Sequence, residues 1–451
     1  MTTDRQQLLL TAPILPTLLG LATPQALGFL VQSSVSTAEI YFIGQLGTTS
    51  LAAMALVFPL MMLVQMISGG AIGGSVTGAI ARTLGSGNMA RAEALLWHVI
   101  YIAFLLGFIV TLIYLAAGEA ILGLLGGKDE VLEQALIYIA IFFPGSILIW
   151  LSNMMLGVVR GTGNMKLPAM MMIVTASIQV PLSGALILGF GPIPAIGLAG
   201  AAVSILTVNL INVGVLTYLH ATGYLKIRFN PAHLAPRVEF FTGILSTGAV
   251  AAIAPFFTVF MILFVTALVG RFGTEALAGY GIASRIEFLI TPMVFGLGVA
   301  MNTMAGSCIG AGDYDRAERV GWTGSLCAGA VTGSVGLILA FFPEFWIQIF
   351  SEDPATLAVA SRYFEVTGPF FGFFGIGLSL FFASQGAGAV GWPVVATAVR
   401  FSISVGGSWY FASQAGAKPE HLFICIGVGM LCYCLGTTAA LYLGSWRRGN
   451  A

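Results

Sequence analysis

Long apolar runs, separated by short polar or glycine-rich turns, succeed one another along the chain. They lie near residues 12–43, 50–80, 92–118, 131–156, 167–189, 197–220, 239–268, 276–308, 318–343, 355–383, 393–414 and 420–444, twelve in all. Several exceed the roughly 20 residues that a helix needs to cross a hydrocarbon core, which leaves room for tilt or bending. Pro13, Pro16 and Pro24 predict a bent first helix. One run breaks the apolar pattern. In VQSSVSTAEIYFIGQLG, residues 31–47, the polar residues Gln32, Ser36 and Glu39 follow an i, i+4, i+7 spacing and so share one helical face. A polar face at that depth predicts a wet surface inside a helical bundle.

Composition sharpens the class. Of the 451 residues, 58% are hydrophobic and 8% charged, and mean hydropathy is +0.96. Soluble domains carry about 25% charged residues, so the chain is expected to be an all-α polytopic membrane protein. Its zero formal net charge argues against a nucleic-acid partner. No small-residue cleavage site of the A-x-A kind follows the first residues, so no cleaved signal peptide is expected. The cysteines at 308, 327, 425, 432 and 434 lie in apolar runs without ligand spacing. They read as small packed hydrophobes rather than as zinc ligands or disulfide partners.

Loop charges give an orientation. One side holds Arg5, Arg82, Arg91, Arg160, Lys166, Lys226, Arg228, Arg237, Arg316, Arg319, Arg447 and Arg448, and the other only Lys128, Arg271, Arg362 and Lys418. The basic side is expected to be cytoplasmic, with both termini on it and the chain integral to the plasma (inner) membrane.

The sequence also repeats. IGQLGTTSLAAMAL, residues 43–56, parallels VGRFGTEALAGYGI, residues 269–282, and LGSGNMARAE, residues 84–93, parallels IGAGDYDRAE, residues 309–318. Each copy reads as a helix, a tight glycine turn, a second helix, and a glycine-rich turn opening a third. Two six-helix lobes of one topology are expected, residues 1–222 and 239–451, joined by a cytoplasmic connector at 223–238. Two such bundles around a central cavity form a transporter plan.

These blocks resemble the multidrug and toxic compound extrusion (MATE) transporters. The resemblance rests on FIGQLGTTSLAAMALVFPLMML (42–63), RGTGNMKLP (160–168), GFGPIPAIGLAGAA (189–202) and GIASRIEFLITPMVFGLGVAMNTMAGSCIGAGDYDRAERV (281–320), and extends over about residues 15–445. It implies two pseudo-symmetric lobes that open alternately to either side. It also implies export of amphipathic, often cationic compounds against an inward flow of protons or sodium ions. Glu39 falls where most bacterial members carry Asp. The helix-5 positions that are Asn and Asp in one subfamily are Gln179 and Ser183 here, and no acid occurs in segment 7 between Glu239 and Glu275. The loss of hard oxygen ligands weighs toward protons over sodium.

Candidate residues follow from charge and polarity in apolar surroundings. Glu39 is the candidate coupling group, because intramembrane acids default to function and desolvation favours the protonated form of a carboxyl. Gln32, Ser36, Gln179 and Ser183 are its candidate network, with helix packing as the alternative role for the segment-5 pair. Asn209 and Asn212, at i, i+3 on segment 6, have the same two readings. Arg285, Glu287 and Arg400 read as buried charges of the second lobe, with Glu287 and Arg400 the expected ion pair and a role in coupling or substrate contact as the alternative. His98 is either a packed neutral imidazole or a proton relay. Methionines at 61, 62, 66, 154, 155 and 170–172 either line an adaptable cavity or fill space.

The expected function is a secondary antiporter, not an enzyme, that exports amphipathic and cationic compounds in exchange for protons by alternating access. It is expected to act as a monomer among membrane lipids, with no cofactor beyond the coupling ion. Sodium coupling on the same fold and flipping of a lipid-linked precursor are the alternatives. A flippase should show extra helices and a basic cavity. A primary pump is not expected, since no G-x-x-x-x-G-K-[ST] loop occurs in the sequence.

Overall fold

A computed structural model describes residues 2–448, so the first residue and the last three lie outside the description. Eleven helices among these residues are long and apolar enough to cross a membrane: α1 (Ile14–Gly44), α2 (Thr48–Gly85), α3 (Met89–Leu124), α4 (Asp129–Gly161), α5 (Lys166–Leu188), α6 (Leu198–Ala221), α7 (Val238–Phe272), α8 (Thr274–Gly310), α9 (Tyr314–Phe341), α10 (Pro354–Ala387) and α12 (Pro419–Tyr442). Between the last two lies α11, which runs from Gly391–Phe401 through a π-helical stretch, Ser402–Gly407, to Ser408–Ala412. Arg400 and a run of Ser and Gly make α11 the least apolar member of the set. A short helix, Thr2–Thr11, precedes α1.

The internal repeat is visible in the backbone. Gly47 and Gly273, at equivalent hairpins, have φ of 115° and 111°, a region closed to most side chains. At the opposite end, Asn88 caps α3 by accepting from the Arg91 N–H at 3.0 Å, and Asp313 caps α9 by accepting from the Arg316 N–H at 2.9 Å. These are matching positions of LGSGNMARAE and IGAGDYDRAE. The same local chemistry therefore starts the third helix of each half.

Most helices pack within their own half, while α1 and α8 pack against each other across the halves and α8 also packs on the end of α2. In the first, α3 and α4, α4 and α6, and α5 and α6 lie side by side, and in the second α8 and α10, α9 and α10, and α11 and α12 do so. Lipid is as apolar as a leucine side chain, so close backbone approach and polar contacts must hold the halves together. The hydrogen bonds between the halves lie toward the end that carries the connector. Arg82 donates to the carbonyls of Gln385 and Gly386 at 3.1 and 2.6 Å. Asn302 donates to the Gly74 carbonyl at 3.0 Å, Thr303 to the Arg160 carbonyl at 3.1 Å, and Gln385 to the Gly70 carbonyl at 3.1 Å. Glycines make this seam possible: a Cβ on Gly310 would stand 2.7 Å from the Cα and carbonyl carbon of Arg82. The buried Arg316 guanidinium donates to the carbonyls of Leu9 and Ala12, so the N-terminal helix is strapped to the opposite half.

The connector is pinned along α3. Trp97 Nε1 donates to the Asn230 carbonyl at 3.0 Å, and the Tyr101 hydroxyl donates to the Leu234 carbonyl at 2.7 Å. His98 belongs to this set. Its Nδ1 meets the Ala94 carbonyl at 2.7 Å, and its Nε2 accepts the Arg237 N–H at 2.9 Å. A ring nitrogen that accepts an N–H is unprotonated, so the packed neutral imidazole is the reading the geometry supports.

Candidate functional site

Glu39 stands five residues before the end of α1 and is only 7% exposed. Its carboxyl points into the first half, where α5 and α6 meet it. Gln179 on α5 donates from Nε2 to Glu39 Oε1 at 2.9 Å, and Ser204 on α6 donates to the same oxygen at 3.4 Å. Ser183, one turn beyond Gln179 and fully buried, lies beside the carboxyl without a hydrogen bond from its Oγ. Tyr138 on α4, 1% exposed, lies within electrostatic range. The bonded set is therefore supplied by three helices of one half, α1, α5 and α6. Its donors are amide and hydroxyl groups, and no cation pairs with Glu39 among the described residues.

The structure brings Gln179 and Ser183 to Glu39 but leaves Gln32 and Ser36 out of the bonded set. Gln32 is half-buried and Ser36 exposed. A shared face gives the direction of a side chain; whether a neighbouring helix stands at that height is a separate matter. Val35 and Ile43, the buried residues a turn either side of Glu39, mark where α1 meets its half. Asn209 bonds its own helix, donating to the Ile205 carbonyl at 2.8 Å. Asn212 is buried with its Oδ1 unbonded. Ser204 and Tyr138 escaped the sequence reading because nothing marks a single Ser or Tyr in an apolar helix as part of a polar pocket. The i+3, i+4 environment of Glu39 gives no hint of them.

In the second half, Glu287 and Arg400 do not form the expected ion pair. Glu287 accepts from the Tyr363 hydroxyl at 2.6 Å. Arg400, 6% exposed, has its guanidinium carbon 4.8 Å from the ring centre of Phe374 and 5.8 Å from that of Tyr433. Each charge has found an aromatic partner where the sequence offered only the opposite charge. Arg285, expected to be buried, is exposed and lies over the Phe350 ring at 5.4 Å. Arg285 and Glu287 are two residues apart and face different ways, as helical geometry requires. Of the methionines, Met154 and Met155 are core residues at 0% and 1% exposure, whereas Met170 is 58% exposed. Packing accounts for the first two.

The sequence profile of the MatE family matches residues 24–184 and 240–409, one stretch in each half. Among curated relatives, an FAD transporter of Shewanella oneidensis is 26% identical over 368 residues, 82% of this chain and 81% of its own. The probable multidrug resistance protein NorM of Thermotoga maritima is 26% identical over 385 residues, 84% of this chain and 82% of its own. Among solved structures, a MOP superfamily transporter from Pyrococcus furiosus superposes with a TM-score of 0.90 at 21% identity. It covers 100% of this chain and 99% of that one. A MATE crystallised in complex with MaL6 gives 0.89 at the same identity and coverage. The superposition carries the twelve-helix, two-lobe fold, and the profile match, which spans most of both lobes, places the chain in the MatE family as a multidrug and toxic compound efflux transporter of the membrane.

Proposed function

We propose that the protein exports amphipathic organic compounds, cationic ones among them, in exchange for protons carried by Glu39. One observation supports this reading above the rest: a carboxyl group is buried in the first half among uncharged hydrogen-bonding groups, with no cation paired to it among the described residues. An ionised carboxylate in such a place is an uncompensated charge, and a bound proton removes that cost without any change in its neighbours. The Gln179 amide and the hydroxyls of Ser183 and Ser204 can bond either protonation state, because amides and hydroxyls both donate and accept. Sodium would instead ask for several oxygen ligands, and Gln179 presents its nitrogen.

With both termini on the cytoplasmic side, the seam at the connector end is the cytoplasmic gate, and the arrangement described is closed toward the cytoplasm. Loading of the Glu39 carboxyl then takes place from outside and release from inside, after the seam opens. The test is uptake of a fluorescent cationic dye into inside-out vesicles, with pH and sodium gradients imposed separately. A pH gradient alone should drive accumulation. Glu39→Gln should abolish it with folding intact, and Glu39→Asp should keep substantial activity. Accumulation by Glu39→Gln vesicles under a pH gradient, or by the parent under a sodium gradient alone, overturns the proposal.

A further inference from the structure

The seam at the connector end leaves a cavity that the clasp does not fill. Its volume is about 380 Å³, within the range of about 300–1,000 Å³ that small ligands occupy. Both halves line it: Arg82 at the end of α2, Asn88 and Arg91 at the start of α3, Gly243 on α7, Gly310 on α8 and Tyr314 on α9. No acid is among the lining residues. Two cations therefore border one space, and they lie within electrostatic range of each other. Most acids at this end are engaged elsewhere. Glu93 accepts from Asn230 at 3.0 Å, Asp313 accepts the Arg316 N–H at 2.9 Å, and Asp315 and Glu318 pair with Arg447. Glu239, one turn before Gly243, is exposed and forms no ion pair among the described residues.

Unused donors border the same space. Arg82 commits Nη1 to the carbonyls of Gln385 and Gly386, which leaves the N–H groups of Nε and Nη2. Asn88 commits Oδ1 to the cap of α3, which leaves its amide NH2. Arg91 lies over the Phe240 ring at 5.5 Å, so its guanidinium is held by a ring and not by an acceptor. Tyr314 brings a phenol O–H from the opposite half. The hydroxyls of Thr83 and Ser86 are spent, since each donates to a backbone carbonyl. Two guanidinium groups, an amide and a phenol around one space match a compact, highly charged oxyanion, and arginine forks pair with phosphate bidentately.

We propose that this cavity is a binding site for a phosphate group, held by Arg82 and Arg91 with Asn88 and Tyr314 as further donors. A dianion there relieves the repulsion between the two guanidinium groups, and it touches both halves at once. The bound phosphate adds to the closed seam and not to an open one, in which Arg91 and Tyr314 are parted, so it shifts the population toward closure. A lipid headgroup at the membrane surface and a soluble phosphate compound present this same group to the cavity. The inference stands apart from the export reading, because it does not depend on which ion or compound is moved.

Arg82 is part of the clasp, so the variants are made at the other donors of the full-length protein. One arm titrates inorganic phosphate by calorimetry into phosphatidylcholine nanodiscs at a pH of about 8, where phosphate is chiefly dianionic. The other arm counts phosphatidylglycerol molecules retained through detergent washing, by native mass spectrometry. Arg91→Gln should weaken the binding at least tenfold in whichever arm reports it, and Tyr314→Phe should weaken it several-fold. Arg91→Lys, which keeps the charge and loses the fork, should fall between Arg91→Gln and the parent. Arg228→Gln, an exposed base on the same side that does not line the cavity, should leave binding unchanged. Dependence on Arg91 in the calorimetric arm identifies a soluble phosphate, and in the lipid arm a headgroup; either supports the site. Spin labels at the exposed positions Thr222 and Arg319 should show a larger share of the short distance when the phosphate is bound, a change that a purely structural role for Arg91 does not produce. Binding that is absent from both arms, or indifferent to both Arg91→Gln and Tyr314→Phe, overturns the site, and acetate bound as tightly as phosphate overturns the ligand class. If Arg91→Gln fails to fold, Arg91→Lys and Tyr314→Phe decide the matter alone.

Discussion

Gly310→Ala tests whether the connector-end seam is a gate. The added methyl would overlap the Arg82 carbonyl oxygen and lie 2.7 Å from the Arg82 Cα and carbonyl carbon, against about 3.4 Å for ordinary contact, so the halves must part there by more than about 0.7 Å. Its neighbours are backbone atoms of α2, which cannot turn away as a side chain can. Overpacking of this kind costs about 1–3 kcal/mol. The clash exists only while the halves are joined, so the cost falls on the closed arrangement alone. The closed-to-open ratio should drop by a factor of about 5 to 150, at 1.4 kcal/mol per tenfold. Local helix propensity works in the opposite direction for stability, because Ala exceeds Gly by about 1 kcal/mol in a helix, so the variant should fold. Spin labels at the exposed positions Ala90 and Arg319, in a background without native cysteines, report the separation of the two connector-end surfaces. The distance distribution should shift toward longer values in Gly310→Ala. It should stay in place in Gly214→Ala, where a Cβ meets nothing within 4 Å. A Gly310→Ala protein that is folded and shows the parent distribution refutes the claim that this seam is the closed gate.

Other outcomes follow from single contacts. Arg316→Met removes the guanidinium that holds the Leu9 and Ala12 carbonyls; at about 1.5–3 kcal/mol for hydrogen bonds from a charged group, it should lower the detergent melting temperature and expose the N-terminal helix to protease. Tyr363→Phe takes the hydroxyl from Glu287 and should destabilise by about 1–3 kcal/mol in chemical unfolding, an unmet buried acceptor being the cause; no change in melting would show that the bond is replaced. Asn88→Ala deletes the cap of α3 and should cost about 1 kcal/mol, seen in thermal unfolding. A reporter fused after Arg448 should be active only when designed for the cytoplasm, and activity of an export-dependent reporter there would reverse the orientation.

The fold was largely legible because membrane helices announce themselves by length and apolarity, and segment 1 at 12–43 became Ile14–Gly44. The repeat could be read because glycine at 47 and 273 serves a backbone conformation that few other residues tolerate. The site was legible only in part. Glu39 stood out as an acid in apolar surroundings, and Gln179 and Ser183 as polar residues one turn apart. Ser204 did not, since its bond to Glu39 depends on where α6 stands beside the end of α1. Glu287 and Arg400 were matched by charge, but the packing gave each an aromatic neighbour instead. Opposite charge predicts attraction, and it is the depth and direction of each side chain that decide whether the two can touch.

Arg82 fastens the halves by donating to main-chain carbonyls at the last turn of α10. Carbonyl oxygens do not titrate, and a guanidinium keeps its proton throughout the physiological range. The clasp therefore has no acid–base chemistry of its own and grips equally at any pH the cell meets. On the proposed proton exchange, the protonating group stands elsewhere in the molecule and acts on the clasp mechanically, through the tilt of rigid rods. Glu39 lies near the other end of α1, and α1 packs along both α5 and α8. If Glu39 carries the coupling proton as proposed, sensor and fastener are separate parts joined by a lever, so either can be altered without disabling the other.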